Sequence, residues 1–109
     1  MKNISGLMIN TNSKITDDGI KHMIKLTKLK IGDNKNITDD GIKHMINLTH
    51  LDLSANKNIT DEGLKYLTNM RSDLDLEGCY KITDEGIKGM HLTELNLEIN
   101  NNITDEGIK

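Results

Sequence analysis

Pairs of adjacent carboxylic acids recur along the chain and are its clearest candidates for binding an ion. Each pair follows an Ile-Thr dipeptide and precedes a glycine, at Asp17-Asp18, Asp39-Asp40, Asp61-Glu62, Asp84-Glu85 and Asp105-Glu106. Carboxylate oxygens suit calcium, but a calcium loop interleaves its ligands and glycine over about a dozen residues. Acids directly after a helix-capping threonine instead complement the positive end of a helix dipole. The spacing therefore favours helix-start electrostatics over a calcium site.

Histidine and cysteine suggest two further chemistries. His22 and His44 hold equivalent places, and Tyr66 and Gly89 follow them in the same row. A zinc site would need further ligands at fitting positions, so a solvated row is the better interpretation. Cys79 is the single cysteine, and no histidine or aspartate accompanies it in the repeat frame as a catalytic partner. The sequence predicts no metal, no cofactor and no catalytic site, so the protein is not expected to be an enzyme.

A phrase of the form Ile-Thr-Asp-Asp/Glu-Gly-Ile/Leu-Lys recurs along the whole chain. It begins at Ile15, Ile37, Ile59, Ile82 and Ile103, at intervals of 22, 22, 23 and 21 residues. A fixed period in this range is typical of a solenoid, in which each unit buries its apolar face against its neighbours. Any functional residue of this chain is therefore held in place by a structural unit that repeats along the solenoid.

The second half of each unit alternates aliphatic residues. The pattern reads Leu29-x-Ile31-x-x-Asn34, then Leu51-x-Leu53-x-x-Asn56, Leu74-x-Leu76-x-x-Cys79 and Leu95-x-Leu97-x-x-Asn100, with Leu7-x-Ile9-x-x-Asn12 as an early copy. It resembles the leucine-rich repeat family, whose signature is L-x-x-L-x-L-x-x-N/C-x-L. The resemblance covers essentially all 109 residues. Residues 78–87 look most like the cysteine-containing subclass of the F-box/LRR substrate-recognition proteins of ubiquitin ligases.

The predicted fold class is α/β. We expect a leucine-rich repeat solenoid with short parallel strands on the concave side and short helices on the convex side. Residues 1–109 are predicted to form one domain. Its predicted parts are a half-unit 1–14, units 15–36, 37–58, 59–81 and 82–102, and a half-unit 103–109.

Residues 26–48 illustrate how one unit is expected to fold. Leu29 and Ile31 alternate with polar neighbours, which is the two-residue period of a strand with one buried face. Thr38 is placed to cap a helix of about two turns. Asp39 lies four residues before Lys43 and is expected to form an ion pair with it along the helix.

Asparagine and glycine hold the remaining repeated positions. Asn34 falls at the turn after the strand, where its amide can satisfy backbone groups. Its recurrence predicts a ladder between neighbouring turns, in which the thiol of Cys79 takes one place. Glycine inside a helix costs about 1 kcal/mol. Its presence in every helical phrase therefore predicts close packing of the backbone against the adjacent turn, at Gly19, Gly41, Gly63, Gly86 and Gly107.

Composition argues against several classes of function. The net charge of −3 is unlike that of a nucleic-acid binder, which shows a basic patch. No apolar run approaches the roughly 20 residues of a membrane span, and residues 1–14 lack the basic start and apolar stretch of a signal peptide. One cysteine cannot form an internal disulfide, which fits a reducing compartment. We therefore expect a cytoplasmic or otherwise intracellular protein that binds neither nucleic acid nor membrane.

The resemblance implies a protein-binding surface on the strands, at the variable positions that flank the strand leucines. Lysines lie toward the N-terminal strands and acids toward the C-terminal ones. Like charges on adjacent strands oppose folding, so a partner with a basic segment would relieve their repulsion. The predicted partner-binding residues are Lys28, Lys30, His50, Asp52, Asp73, Asp75, Glu77, Glu94, Asn96 and Glu98.

Three interpretations of function stay open. The first is a module that binds a protein partner on the strand face. The second is a structural unit with weak head-to-tail self-association, because residues 103–109 of one molecule and 1–14 of the next together match one unit in length and register. The third, implied by the subclass resemblance, is a substrate-recognition adaptor of a ubiquitin ligase.

Overall fold

Strands and helices alternate along the chain in the computed structural model, which describes residues 4–109. Residues 1–3 of the predicted first half-unit lie outside the described residues. The elements in chain order are β1 (Gly6–Met8), α1 (Asp17–Ile20), β2 (Lys28–Lys30), α2 (Asp39–Ile42), β3 (His50–Asp52), α3 (Asp61–Leu64), β4 (Asp73–Asp75), α4 (Asp84–Ile87) and β5 (Glu94–Asn96).

The strands form one parallel sheet in the order β1-β2-β3-β4-β5. Equivalent residues of successive units are paired in register. Leu7 lies beside Leu29, Leu29 beside Leu51, Leu51 beside Leu74 and Leu74 beside Leu95. The predicted α/β solenoid is confirmed. This register also puts equivalent side chains of successive units into straight columns across the sheet.

The core lies between the strand layer and the helix layer and is aliphatic. Leu29, Ile31, Ile42 and Leu48 represent the two layers, and each is at most 3% exposed. Each buried aliphatic side chain of this kind contributes roughly 1.5–3 kcal/mol. Stability is therefore the sum of many similar terms spread along the solenoid.

The helices are shorter than predicted. Each contains four residues, which is about one turn. After α2 the chain continues in tight turns, in which Met45 N–H donates to the Ile42 carbonyl at 2.9 Å and Leu48 N–H donates to the Met45 carbonyl at 3.1 Å. A unit of about 22 residues must bring the chain back to the next strand, which leaves little room for a second helical turn. No helix among the described residues has the length and apolar character needed to cross a membrane.

Residues 103–109 form a turn instead of the predicted helix. Gly107 N–H donates to the Thr104 carbonyl at 3.0 Å, as the equivalent glycine does in the preceding helices. The α-helical bond that follows in α2, from Lys43 N–H to the Asp39 carbonyl at 2.9 Å, has no counterpart here among the described residues.

The predicted asparagine ladder is confirmed. The Asn34 amide donates to the Asn10 carbonyl at 3.0 Å, and the Asn56 amide donates to the Gly32 carbonyl at 2.9 Å. The Asn34 oxygen accepts two backbone N–H groups of its own turn, and both asparagines are at most 1% exposed. Each side chain therefore closes its own turn and links it to the preceding unit.

Two further sets of asparagines link the units on the outside of the solenoid, which the sequence did not indicate. Asn36 and Asn58 donate to backbone carbonyls of the preceding unit at 2.9 Å. Asn47 and Asn69 do the same on the opposite side, also at 2.9 Å. Asparagine thus supplies inter-unit hydrogen bonds in a chain with few aromatic residues.

Candidate functional site

The solvent-facing side of the sheet is built from the residues on either side of each strand leucine. Successive residues of a strand point to opposite faces, so Lys28 and Lys30 are exposed while Leu29 is buried. All five strands contribute to this face. They line a groove with a volume of about 670 Å³, here called the strand groove.

Most of the predicted partner-binding residues line the strand groove. Gly6 and Met8 of β1 extend it, as their place in the repeat predicts. Glu77 and Glu98 are not among the lining residues, because each strand is three residues long and both glutamates follow its end. The predicted residues that the structure brings together are Lys28, Lys30, His50, Asp52, Asp73, Asp75, Glu94 and Asn96.

The charge of the outward side chains changes from positive on β2 to negative on β4 across the groove. Both outward residues of β2 are lysines and both outward residues of β4 are aspartates. Lys30 Nζ lies 3.8 Å from Asp52 Oδ2, with side chains that are 57% and 27% exposed. A surface pair of this kind contributes about 0–1 kcal/mol. This pair neutralises part of the charge of β2 and β3. The uncompensated negative charge of the groove therefore lies on β4 and on Glu94 of β5.

The second outward residue of the later strands is held by its own turn. Asp52, Asp75 and Asn96 each accept, through Oδ1, a hydrogen bond from the backbone N–H two residues further on, at 2.9, 3.0 and 3.0 Å. An amide oxygen at Asn96 serves this turn as well as a carboxylate does. The negative charge at Asp52 and Asp75 is therefore not required by the fold.

Among the described residues, the first acid of four of the five pairs bridges neighbouring units, which the sequence did not indicate. Asp39 Oδ1 accepts from the Thr60 backbone N–H at 2.8 Å, and Asp39 Oδ2 accepts from the Thr60 hydroxyl at 2.5 Å. The same two contacts recur at Asp17–Thr38, Asp61–Thr83 and Asp84–Thr104. Helix-start electrostatics thus accounts for only part of the role of these acids.

The predicted ion pair between Asp39 and Lys43 is wrong. Lys43 Nζ instead lies 3.0 Å from Asp40 Oδ1, because the Asp39 carboxylate is bound to the next unit. Lys21 and Lys65 likewise pair with the second acid of their own phrase. The two acids of a pair therefore have different roles: the first is structural, and the second is a solvated surface charge.

The recurrent glycine makes room for this aspartate. A β-carbon placed on Gly63 would overlap with Asp39 Oδ1 and would lie 3.2 Å from the Asp39 Cα. The equivalent relation holds at Gly41, Gly86 and Gly107. The predicted close packing is present at these four glycines, and the group that approaches each of them is the aspartate of the preceding unit. The nearest atom to a β-carbon on Gly19 belongs to its own unit.

Comparison with known families gives matches in three places. A family model described as Leucine Rich repeat matches residues 22–43, 44–67 and 89–109, more than half of the chain. The chain belongs to the leucine-rich repeat family. No individual curated protein matches it. Leucine-rich repeats are generally protein–protein interaction modules and are generally non-catalytic.

The thiol of this leucine-rich repeat protein is not set up for chemistry. Cys79 is fully buried, and its Sγ donates to the Leu53 carbonyl at 2.9 Å, in the place that asparagine takes in other units. Burial raises the pKa of the Cys79 thiol to about 11. Because the thiolate is the reactive form, Cys79 is a poor nucleophile at neutral pH.

The aspartate-to-threonine contact between units also affects the titration of one aspartate. The Thr104 hydroxyl, and after it the Thr104 backbone N–H, hold the pKa of the Asp84 carboxyl below its ordinary value. A carboxyl whose folded-state pKa is lowered stabilises the fold above its unfolded pKa and loses that contribution as the pH falls through the folded value. The Asp84–Thr104 contact is therefore intact at neutral pH and weakens in acid.

Metal ligands are not assembled within residues 4–109. No group of three or more His, Cys, Asp or Glu side chains there is arranged to hold a metal ion. His22 and His44 are both exposed. The carboxylates of Asp17, Asp39, Asp61 and Asp84 accept hydrogen bonds from threonine of the next unit, so these first acids serve the repeat scaffold.

Proposed function

We propose that the protein is a non-catalytic protein–protein interaction module whose partner binds in the strand groove. The observation that carries this proposal is the contrast between framework and groove. The framework leucines repeat in line from β1 to β5, while the pair of outward residues beside each leucine is different in every strand. A fixed scaffold with a varied outer face is what selective recognition requires.

The chemistry of the groove favours a partner with basic residues. Asp73 and Glu94 are exposed, and Asp75 is half-exposed with its carboxylate held at the rim of the turn. No Phe, Tyr or Trp lines the groove, although aromatic side chains and arginine dominate most interaction hot spots. Binding should therefore depend on charge and weaken with salt, since exposed charges are screened over about 8–10 Å near physiological ionic strength.

Removing two groove charges is expected to weaken partner binding by at least about tenfold, the effect of losing roughly 1.4 kcal/mol. The double variant Asp73→Asn, Asp75→Asn keeps the side-chain shapes, and the amide at position 75 can accept the turn hydrogen bond as Asn96 does. Proteins captured on the immobilised chain would be identified by mass spectrometry. The most abundant would then be titrated by calorimetry.

The matched control is Asp18→Asn, Asp40→Asn, which makes the same change in net charge on the helix side. Both carboxylates are solvated, with side chains 87% and 72% exposed. This control should bind the partner like the parent protein, and both double variants should melt within a few degrees of it. Equal affinities for the two double variants would place the binding site outside the strand groove.

We propose a second function, head-to-tail association of copies, on the basis of the inter-unit contact. The aspartate-to-threonine contact recurs at four junctions. Asp105 continues the aspartate column and Thr16 the threonine column, and the Thr16 side chain makes no cap hydrogen bond. A second copy that offered Thr16 to Asp105 would repeat the junction, with the carboxylate lying over Gly19. Such a contact is heterologous and leads to rings or filaments.

Light scattering across a concentration series tests this association. The average mass should rise toward millimolar protein, and Asp105→Ala should abolish the rise. Glu106→Ala is the control, because Glu106 pairs with Lys109 on the solvated side and should leave the rise intact. A constant monomer mass at millimolar concentration would exclude head-to-tail association.

A substrate-recognition adaptor of a ubiquitin ligase is a narrower form of the first proposal. It is supported by the likeness of residues 78–87 to the cysteine-containing repeats, and recruitment to the ligase would require a further segment or chain. Cys79 is the single cysteine and is buried. A chain with one cysteine forms no internal disulfide, which supports an intracellular location. Co-precipitation of ligase subunits with the groove partner would favour the adaptor.

A further inference from the structure

The size of the strand groove limits what it can bind. Its strands contain three residues each, about 10 Å of extended chain, and neighbouring strands lie about 4.8 Å apart. The five strands therefore span about 19 Å. A stable interface between folded proteins buries about 800 Å² on each partner, far more than this face offers. An extended segment of about seven residues spans the same 19–20 Å.

The distribution of charge determines the direction of such a segment. Along a strand the sign does not change, since β2 presents Lys28 and Lys30 and β4 presents Asp73 and Asp75. Across the strands the sign reverses within two strand spacings, about 10 Å. A segment that runs along one strand meets a single sign, whereas a segment that crosses the sheet meets both.

The two ends of the groove add further preferences. Met8 on β1 is 74% exposed and offers an apolar contact at one end. Glu94 on β5 extends the acidic end. Asp52 on β3 is partly balanced by Lys30 at 3.8 Å, so the middle of the groove has little preference for either sign.

We propose that the strand groove selects a short extended segment by the order of its charges. The segment crosses the strands with an apolar residue over Met8, an acidic residue over the lysines of β2 and basic residues over β4 and β5. In an extended chain every second side chain faces the groove, at about 6.6 Å intervals. Positions 1, 3, 5 and 7 of the segment therefore lie near β1, β2, β4 and β5. This inference rests on the proposed interaction function and specifies its ligand.

An exclusively basic segment is a poorer ligand in this arrangement. Its positive charge at position 3 would lie over Lys28 and Lys30, and like charges brought together reduce affinity. Attraction by net charge alone makes the opposite prediction. The protein carries −3 and would bind the more basic segment more tightly.

The test uses two fluorescent peptides with blocked ends, Leu-Ser-Glu-Ser-Lys-Ser-Lys and Leu-Ser-Lys-Ser-Lys-Ser-Lys, titrated with the full chain by fluorescence anisotropy. The first, bipolar peptide is expected to bind about fivefold more tightly than the second, a difference of the size that a few exposed ion pairs produce. Tighter binding of the all-basic peptide, or no binding of the bipolar peptide up to millimolar protein, would overturn the proposal.

Exchanging one charge between strands provides the matched variant. Lys28→Glu combined with Asp73→Lys leaves the net charge unchanged, alters two exposed side chains and mixes the signs within β2 and β4. It should abolish the preference for the bipolar peptide, and Lys28→Gln alone should reduce that preference. An unchanged preference in both variants would contradict charge-order recognition.

Three further results separate this inference from its alternatives. Light scattering could show that the parent chain is a dimer and that Lys28→Glu with Asp73→Lys dissociates it. That result would assign the groove to a second copy of the chain and overturn the peptide proposal. A second result would be that Asp73→Asn, Asp75→Asn no longer binds the captured partner while the parent chain binds the all-basic peptide more tightly than the bipolar one. The groove would then remain the binding site, and the proposed charge order would be refuted. Unchanged partner binding in that double variant would refute the proposed function itself.

Discussion

Replacing Gly63 with alanine is expected to destabilise the protein by about 2–4 kcal/mol. Helix propensity predicts the opposite, a gain of about 1 kcal/mol. The added β-carbon would overlap with Asp39 Oδ1 and would lie 2.9 Å from Asp39 Cγ. That carboxylate cannot move away without loss, because both its oxygens accept hydrogen bonds from Thr60. Urea denaturation followed by circular dichroism measures the change in the free energy of unfolding.

Gly19→Ala is the matched control. Gly19 holds the same place in the repeat, but the nearest atom that its β-carbon would meet is Ile15 Cγ2 at 3.3 Å, in a side chain of its own unit. Its free energy of unfolding should fall by less than about 0.5 kcal/mol and can rise by up to about 1 kcal/mol, because helix propensity favours alanine and no aspartate opposes it there. Equal losses at Gly19 and Gly63 would show that the cost does not arise from the aspartate.

A double-mutant cycle isolates the contact between neighbouring units. Asp39→Ala removes the carboxylate that Gly63→Ala would strike. The two changes together should therefore destabilise the fold by less than the sum of the single changes, with a coupling of at least about 1 kcal/mol. Additive losses would mean that the glycine and the aspartate stabilise the fold independently.

Asp61→Ala is expected to destabilise the fold by about 2 kcal/mol, the scale of hydrogen bonds to a charged acceptor. Asp61 Oδ1 accepts from the Thr83 N–H at 2.7 Å, and Asp61 Oδ2 accepts from the Thr83 hydroxyl at 2.5 Å. The alanine variant leaves both donors of the next unit without this acceptor. Thermal and urea unfolding of the same samples would measure the loss.

The neighbouring acid provides the control for Asp61. Glu62 has a side chain that is 72% exposed and pairs with Lys65 at 2.9 Å, so Glu62→Ala should cost less than about 0.5 kcal/mol. Helix-start electrostatics alone would give the two adjacent acids similar effects. Similar losses for Asp61→Ala and Glu62→Ala would therefore contradict the inter-unit role of Asp61.

The fold was predictable because each local signal agrees with the repeat. The alternation around Leu29, the capping threonine and the turn asparagine all point to one strand and one short helix per unit, and such agreement across levels favours a single fold. The unit boundaries stay a prediction. The matches to the family model begin at residues 22, 44 and 89, in a different phase from the predicted starts, because a repeating chain can be divided at any point of its period.

The contacts between units were not predictable in the same way. The sequence shows that Asp39, Thr60 and Gly63 recur, but it does not show that the carboxylate of one unit binds the threonine and covers the glycine of the next. That relation depends on how units stack, which separates the partners by more than 20 residues. A fixed offset from each aspartate to the later threonine and glycine was the signal available.

The outward positions of the strands followed from their alternation, and the resemblance to leucine-rich repeats marked that face for binding. The two exceptions follow from strand length. Asp73 and Asp75 flank Leu74 and line the groove. Glu77 continues the same alternation in the sequence, but β4 ends at Asp75. Glu98 lies after the end of β5 for the same reason. The three-residue strands of this chain leave only two outward positions each.

Chemical-shift mapping tests the strand groove as the binding site most directly. The ¹⁵N-labelled chain would be titrated with the bipolar peptide, and backbone amide shifts would be followed residue by residue. The groove predicts that the largest shifts fall in the strands β1–β5, with small changes in α1–α4. Largest shifts in the helices, or shifts spread evenly along the chain, would contradict binding in the strand groove.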